Sequence, residues 1–177
     1  MKNSSILSPE LIATIQAQIR IDWLGKHGAR HWARVYEIGM RLSAKTGAHQ
    51  QVIELFALFH DARRFNEHTD PQHGPRGAAL ARDLRPTFFP QLDEPEFSLL
   101  YLACSLHTSA ASHSDMTVQT CFDADRLDLG RVGKVPDPQY LCTDAAKDSR
   151  ILDWAYKKSV EGGIPDNILG NYFSQTL

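Results

Sequence analysis

At 177 residues, with 42% hydrophobic and 23% charged residues and a formal net charge of -2, the chain has the size and composition of one folded domain with its own core. That balance excludes a broad basic surface for polymeric nucleic acid, and no run of about 18 apolar residues offers a membrane span. Three cysteines, Cys104, Cys121 and Cys142, are too few and too scattered for a disulfide framework or a zinc ribbon, so reduced and mostly buried thiols are expected.

The opening Met1-Lys2-Asn3-Ser4-Ser5 is not followed by a continuous apolar leader, so a cytoplasmic location is expected. Ser8-Pro9-Glu10 is a helix start, and Leu11, Ile12, Ile15, Ile19 and Trp23 carry helical spacing to about residue 24. After Gly25 and Gly28, a second helix spans about 29–46 and closes at Gly47. At about 100° per residue, His31 falls within about 40° of Val35, Ile38 and Leu42 and so points inward, whereas His27 shares its direction with Lys45. An inward imidazole is either hydrogen-bonded to a backbone carbonyl or a ligand. His27 and His31 stand one turn apart, but Gly28 occupies the place where a zinc-protease motif needs glutamate, so that motif does not apply. The third helix, about 49–61, is apolar on most sides through Val52, Ile53, Leu55, Phe56, Leu58 and Phe59, which makes it a central, buried helix. It ends in His60-Asp61 and then Arg63-Arg64. Adjacent side chains diverge by about 100°, so His60 and Asp61 can share an ion only near the helix end, with other elements completing the shell.

Residues 65–77, polar and holding His68 and His73, read as a loop over such a site, and Pro75 opens a short helix to about 84. Pro86, Pro90 and Pro95 punctuate a connector before an apolar helix over about 96–107 that also terminates in histidine, His107. A small-residue loop with His113 leads to 117–129, where Val118 and Thr120 give a strand signal but the longer pattern is helical. There Asp125 lies within about 60° of Val118, Phe122 and Leu129, while Asp123 falls with Gln119, Arg126 and Gly130 on the polar side. A carboxylate on an apolar face must pair with a basic side chain or coordinate a cation. Residues 130–138 form a loop carrying Arg131 and Lys134. Thr143-Asp144 begins a helix to about 158, and Gly162-Gly163-Ile164-Pro165 breaks it before a short terminal segment. No internal repeat or interdomain linker is present.

In sequence order, His31, His60-Asp61 and Asp125 resemble the HD-domain metal-dependent phosphohydrolase superfamily, whose pattern is H...HD...D on an all-α fold. Supporting motifs are His27-Gly-Ala-Arg-His31-Trp-Ala-Arg-Val35, Leu58-Phe-His-Asp61, His73-Gly-Pro-Arg-Gly-Ala78, His107-Thr108 and Asp123-Ala-Asp-Arg-Leu-Asp128. The resemblance implies a single-domain, HD-domain-like helical bundle over 1–177, with core motifs in about 27–130 and a C-terminal helical extension over 131–177. It implies His31, His60, Asp61 and Asp125 as ligands of a divalent ion, and His73 and His107 as further catalytic-site histidines beside His60 and Asp61, for substrate or a second ion. Nitrogen and oxygen donors without cysteine suit Mn, Fe, Co, Ni, Zn or Mg. Such an ion polarises a phosphoryl oxygen and acidifies a bound water. The implied reaction is hydrolysis of a phosphate ester or anhydride of a small phosphorylated molecule, a free-standing nucleotide phosphohydrolase being the nearest analogy. Arg63, Arg64, Arg76 and Arg131, with Lys134, are the candidates to hold phosphate oxygens. One departure stands out: where several branches carry an acid three positions after the His-Asp aspartate, this chain has Arg64. That substitution keeps open a non-catalytic metal- or nucleotide-binding module. A purely structural helical protein with satisfied core histidines is the third alternative.

Overall fold

A computed structural model describes residues 5–176, and among them only helices, turns and loops occur. The Ser8 hydroxyl accepts from Leu11 N–H at 3.2 Å and Pro9 occupies the first turn, which starts α1 (Pro9–Gln16) where the sequence places it. The helix stops well short of residue 24. From Ala17 the chain runs through turns closed by Gly25 N–H to Asp22 O at 2.9 Å and Ala29 N–H to Trp23 O at 2.8 Å. Ile19 and Trp23 still pack against the core, so a turning segment reproduces the apolar spacing of a helix.

Helix α2 (Ala29–Thr46) and helix α3 (Gln50–Phe59) match their expected positions. Every residue from Val52 to Phe59 is buried, and α3 is packed by α2, α4, α5 and α6, which makes it the axis of the bundle. Its Glu54 escapes the cost of burial by accepting from Ile6 N–H and Tyr36 Oη–H, each at 2.9 Å.

Helix α4 (His73–Phe88) is longer than expected at both ends. His73 and Gly74 form its first turn instead of lying in a loop, and Pro86 sits in its last turns, where one missing backbone bond costs little. The glycines of His73-Gly-Pro-Arg-Gly serve packing. A Cβ on Gly77 would stand 2.2 Å from Phe59 O, and one on Gly74 would stand 2.4 Å from Cys104 O. Backbone of α4 thus lies directly on the ends of α3 and α5 (Glu94–Leu106). Helix α6 (Met116–Arg126) replaces the weak strand signal, and a 3-10 turn over Leu129–Val132 follows where a loop was expected.

The helix expected over 144–158 is two helices, α7 (Asp144–Lys147) and α8 (Ser149–Glu161). Asp148 leaves helical geometry at ψ 122° and caps α8 through Arg150 N–H at 3.0 Å. The terminal α9 (Ile168–Thr176) packs on α2. Asp123 departs from its expected polar face and is fully buried, because residues 142–143 cover that flank of α6. Its carboxylate accepts from Cys142 N–H at 2.7 Å and from Thr143 N–H and Oγ1–H, each at 2.8 Å. The three cysteines are free thiols, Cys104 and Cys121 buried and Cys142 half-buried. Among the described residues, no helix is long and apolar enough to cross a membrane.

Candidate metal centre

Five helix ends meet at one place. The first turns of α2 and α4 bring His31 and His73, the C-terminal caps of α3 and α5 bring His60 and His107, and the last turn of α6 brings Asp125. Asp61 follows the cap of α3 directly. Three of these ends are C-termini, whose partial negative charge favours a cation.

Ligand-capable atoms of His31, His60 and Asp125 lie within 4.8 Å of one another, and those of Asp61, His73 and His107 form a second group of the same size. Asp61 joins the two. Its Oδ2 is 3.7 Å from Nε2 of both His31 and His60, while its Oδ1 is 2.9 Å from His73 Nε2 and 3.8 Å from His107 Nε2. Asp125 Oδ1 lies 3.3 Å from His31 Nε2 and 4.0 Å from His60 Nε2. Of these six side chains only Asp125 has appreciable exposure, 19%.

The hydrogen bonds behind the rings set the chemistry of the nitrogens in front. Nδ1–H donates to Asp128 Oδ2 at 2.7 Å in His31, to Phe56 O at 3.0 Å in His60, to Asp70 O at 2.5 Å in His73 and to Cys104 O at 2.8 Å in His107. Carboxylate and carbonyl oxygens only accept, so each neutral ring carries its proton on Nδ1 and presents a bare Nε2. Those bare nitrogens then face each other at 3.0 Å in the His31–His60 pair and at 2.9 Å in the His73–His107 pair, with Asp61 between them. Lone pairs aimed at lone pairs and at a carboxylate call for a cation or a proton. The donor set therefore fits a divalent metal, with imidazole favouring a transition ion.

The same surroundings separate the titrations. Burial pushes His60 down to about 3, against the pull of Asp61. Burial opposes ionisation of Asp61 too, but His60, His107 and His73 outweigh it and hold the carboxyl well below the usual range. Asp125 is likewise driven down, as the His31 hydrogen bond and Arg131 overcome its burial. At His107 burial loses to the Asp61 hydrogen bond and to the Asp125 and Asp61 charges, and the net shift is upward.

The expected phosphate-holding arginines separate. Arg131 reaches the rim, with Nη2 3.7 Å from Asp125 Oδ1 and Nε donating to Lys26 O at 3.0 Å. Arg64 is buried at the second group. Arg63 and Arg76 instead line a recess with Gln18, Ala79, Leu80 and Asp83, where Arg76 binds Asp70 Oδ2 at 2.5 Å and stacks 3.8 Å from the Phe65 ring. Lys134 is exposed in a cavity of about 560 Å³ with Leu129, Val135 and Tyr140. His27 stays outside both groups and binds Glu67 Oε2 through Nδ1 at 2.5 Å, its ring 6.5 Å from that of His31.

Two residues escaped the sequence reading. Asp128 is fully buried, accepts the Nδ1–H of His31 and is gripped by Arg34, Nε to Oδ1 at 2.7 Å and Nη2 to Oδ2 at 3.1 Å. The signal was the spacing: Arg34 follows His31, and Asp128 follows Asp125, by three residues, one helical turn.

A crystal structure described as a predicted HD superfamily hydrolase, from an uncultured Thermotogales bacterium, is similar over 100% of this chain and 97% of its own, at a TM-score of 0.67 and 22% identity. The likeness establishes the HD-domain-like fold for the whole chain. No protein-family model and no curated protein sequence matches it.

Proposed function

We propose that this protein is a metal-dependent phosphohydrolase acting on a small phosphorylated substrate, a nucleotide being the favoured class. One observation carries the reading: four imidazoles, their Nδ1 protons all directed outward, aim bare Nε2 atoms at the two oxygens of Asp61. His31, His60 and Asp125, with Asp61 beside them, would hold the ion; Mn, Fe, Co, Ni, Zn and Mg all suit these donors. A divalent ion, when bound, supplies a Lewis acid for a phosphoryl oxygen and an acidified water. The chain's own residues supply the rest. Asp128 keeps the His31 ring oriented, and Arg131 at the open Asp125 edge offers a guanidinium to substrate oxygens. His73 and His107 line the enclosed side. Arg64 leaves no carboxylate three positions after Asp61 to accept a proton.

The test is elemental analysis of the purified protein, followed by a panel of nucleoside mono-, di- and triphosphates with each added metal. Phosphate release that stops with chelator and is abolished in a folded Asp61→Ala variant is the expected result; undiminished turnover in that variant sinks the reading. Arg64 favours a second reading, a metal- or nucleotide-binding module without turnover, which retention of metal and ligand with no phosphate release would establish.

A further inference from the structure

The arginine three residues after Asp61 is used entirely inside the fold. Arg64 is 7% exposed; its Nε donates to Asn66 O at 3.3 Å and its Nη2 to His68 O at 2.5 Å. Nη1 lies 3.4 Å from Asp61 Oδ1 and 3.3 Å from both ring nitrogens of His73. Equal distances to two nitrogens of one ring place it over the face of that ring. A guanidinium keeps its proton at any ordinary pH, so a permanent positive charge stands against two of the three potential ligands of the second group. The two carbonyl anchors prevent it from swinging out to water.

The first group keeps an excess of negative charge. Asp125 and Oδ2 of Asp61 face it and Asp128 stands behind His31, three carboxylates in all. Against them are two guanidiniums: Arg34 is bound to Asp128, and Arg131 approaches Asp125 only to 3.7 Å. At the second group a single shared carboxylate meets a single arginine in contact with it.

We propose that Arg64 is a built-in cation that keeps the Asp61, His73 and His107 group from taking a divalent ion, so that the protein holds one ion per chain, at His31, His60 and Asp125. The proposal rests on the metal reading above. An ion about 2.0–2.2 Å from Asp61 Oδ1 would stand no farther than about 5.6 Å from Nη1. Repulsion at that range is weakly screened in a buried site. His73 and His107 are then left to address the substrate.

The deciding experiment titrates Mn²⁺ into metal-stripped wild type, Arg64→Gln and Arg64→Lys, followed by calorimetry and electron paramagnetic resonance. Wild type is expected to bind one ion per chain. Arg64→Gln, which keeps a hydrogen-bonding amide but loses the charge, is expected to take a second ion at least about tenfold more tightly than wild type does. It should then show the multiline signal of two exchange-coupled Mn²⁺ ions, whereas Arg64→Lys, which restores the charge, should bind one. Two ions of similar affinity in wild type overturn the proposal, as does a folded Arg64→Gln that binds only one. Should Arg64→Gln not fold, His107→Gln decides: the single ion stays bound within about threefold of the wild-type affinity, and its loss overturns the proposal. Failure of every variant and of wild type to bind any ion overturns the metal reading itself, a result distinct from all of these.

Discussion

Asp128 shows how much of the centre lies behind its ligands. It accepts a hydrogen bond from Nδ1–H of His31 and neutralises Arg34, both buried, so Asp128→Asn removes a charge that two neighbours depend on. The expected cost is about 3 kcal/mol of stability in denaturant titration, with metal affinity down about 10–100-fold by calorimetry. Unchanged affinity would show that His31 needs no such support. His27→Gln tests whether that outlying ring takes part in ion binding: metal content is expected to stay constant, and loss of metal would make His27 a ligand. Acid stability reports on His60. Burial keeps it neutral in the folded, metal-free protein down to about 3, whereas the unfolded chain protonates it near its ordinary 6.5. Its stabilising contribution is complete above about pH 6.5 and is lost as the pH falls toward 3, by up to about 1.4 kcal/mol per unit. His107 shifts upward and acts in the opposite sense, so the comparison is wild type minus His60→Gln, a gap that should narrow on acidification. A gap that stays constant from pH 7 to pH 4 contradicts the assignment.

At the scale of elements, the junction depends on how closely α4 approaches its neighbours. In an open helix Gly77→Ala would stabilise by about 0.5–1 kcal/mol. Here the new methyl meets Phe59 O at 2.2 Å, so a loss of about 1–3 kcal/mol is expected, together with weaker metal binding as His73 and His60 are pushed apart. An unshifted denaturation midpoint would show that α4 can retreat freely. The same glycines explain why α4 was hard to read: Gly and Pro in His73-Gly-Pro-Arg-Gly signal a loop locally, while their purpose is a tertiary contact. Helix α2 was legible because its burial follows periodicity, which also turned His31 inward, and α3 because it is apolar on most sides and buried throughout. Asp125 lies beside His31 and His60, yet Asp123 on the supposedly polar flank is the more deeply buried of the two, since residues 142–143 lie over it. No angular argument within one helix can anticipate cover supplied from elsewhere in the chain. Arg64 stood out in the sequence, but its burial was illegible for a similar reason, because its partners are carbonyls of the loop it holds in place.

For the whole molecule, an ion bound only by the folded state should act as a staple. At about 100 times its dissociation constant it adds about 2.7 kcal/mol. For a chain of this size that corresponds to about 5–10 °C in Tm, measured by calorimetry with metal against excess chelator. A Tm indifferent to metal would mean that the cluster is held by protons alone. The contacts backing His31 carry a further consequence. Arg34 and His31 reach Asp128 across 94 and 97 residues, Arg34 Nη1 reaches Gly163 O across 129, and Asn167 Nδ2 reaches Ala33 O across 134. Closing such spans is slow, so the pocket should mature late in folding, after α3 has its neighbours. Metal added to a refolding chain then meets scattered imidazoles before it meets a site, and the order in which ion and denaturant are exchanged should decide the yield of active protein.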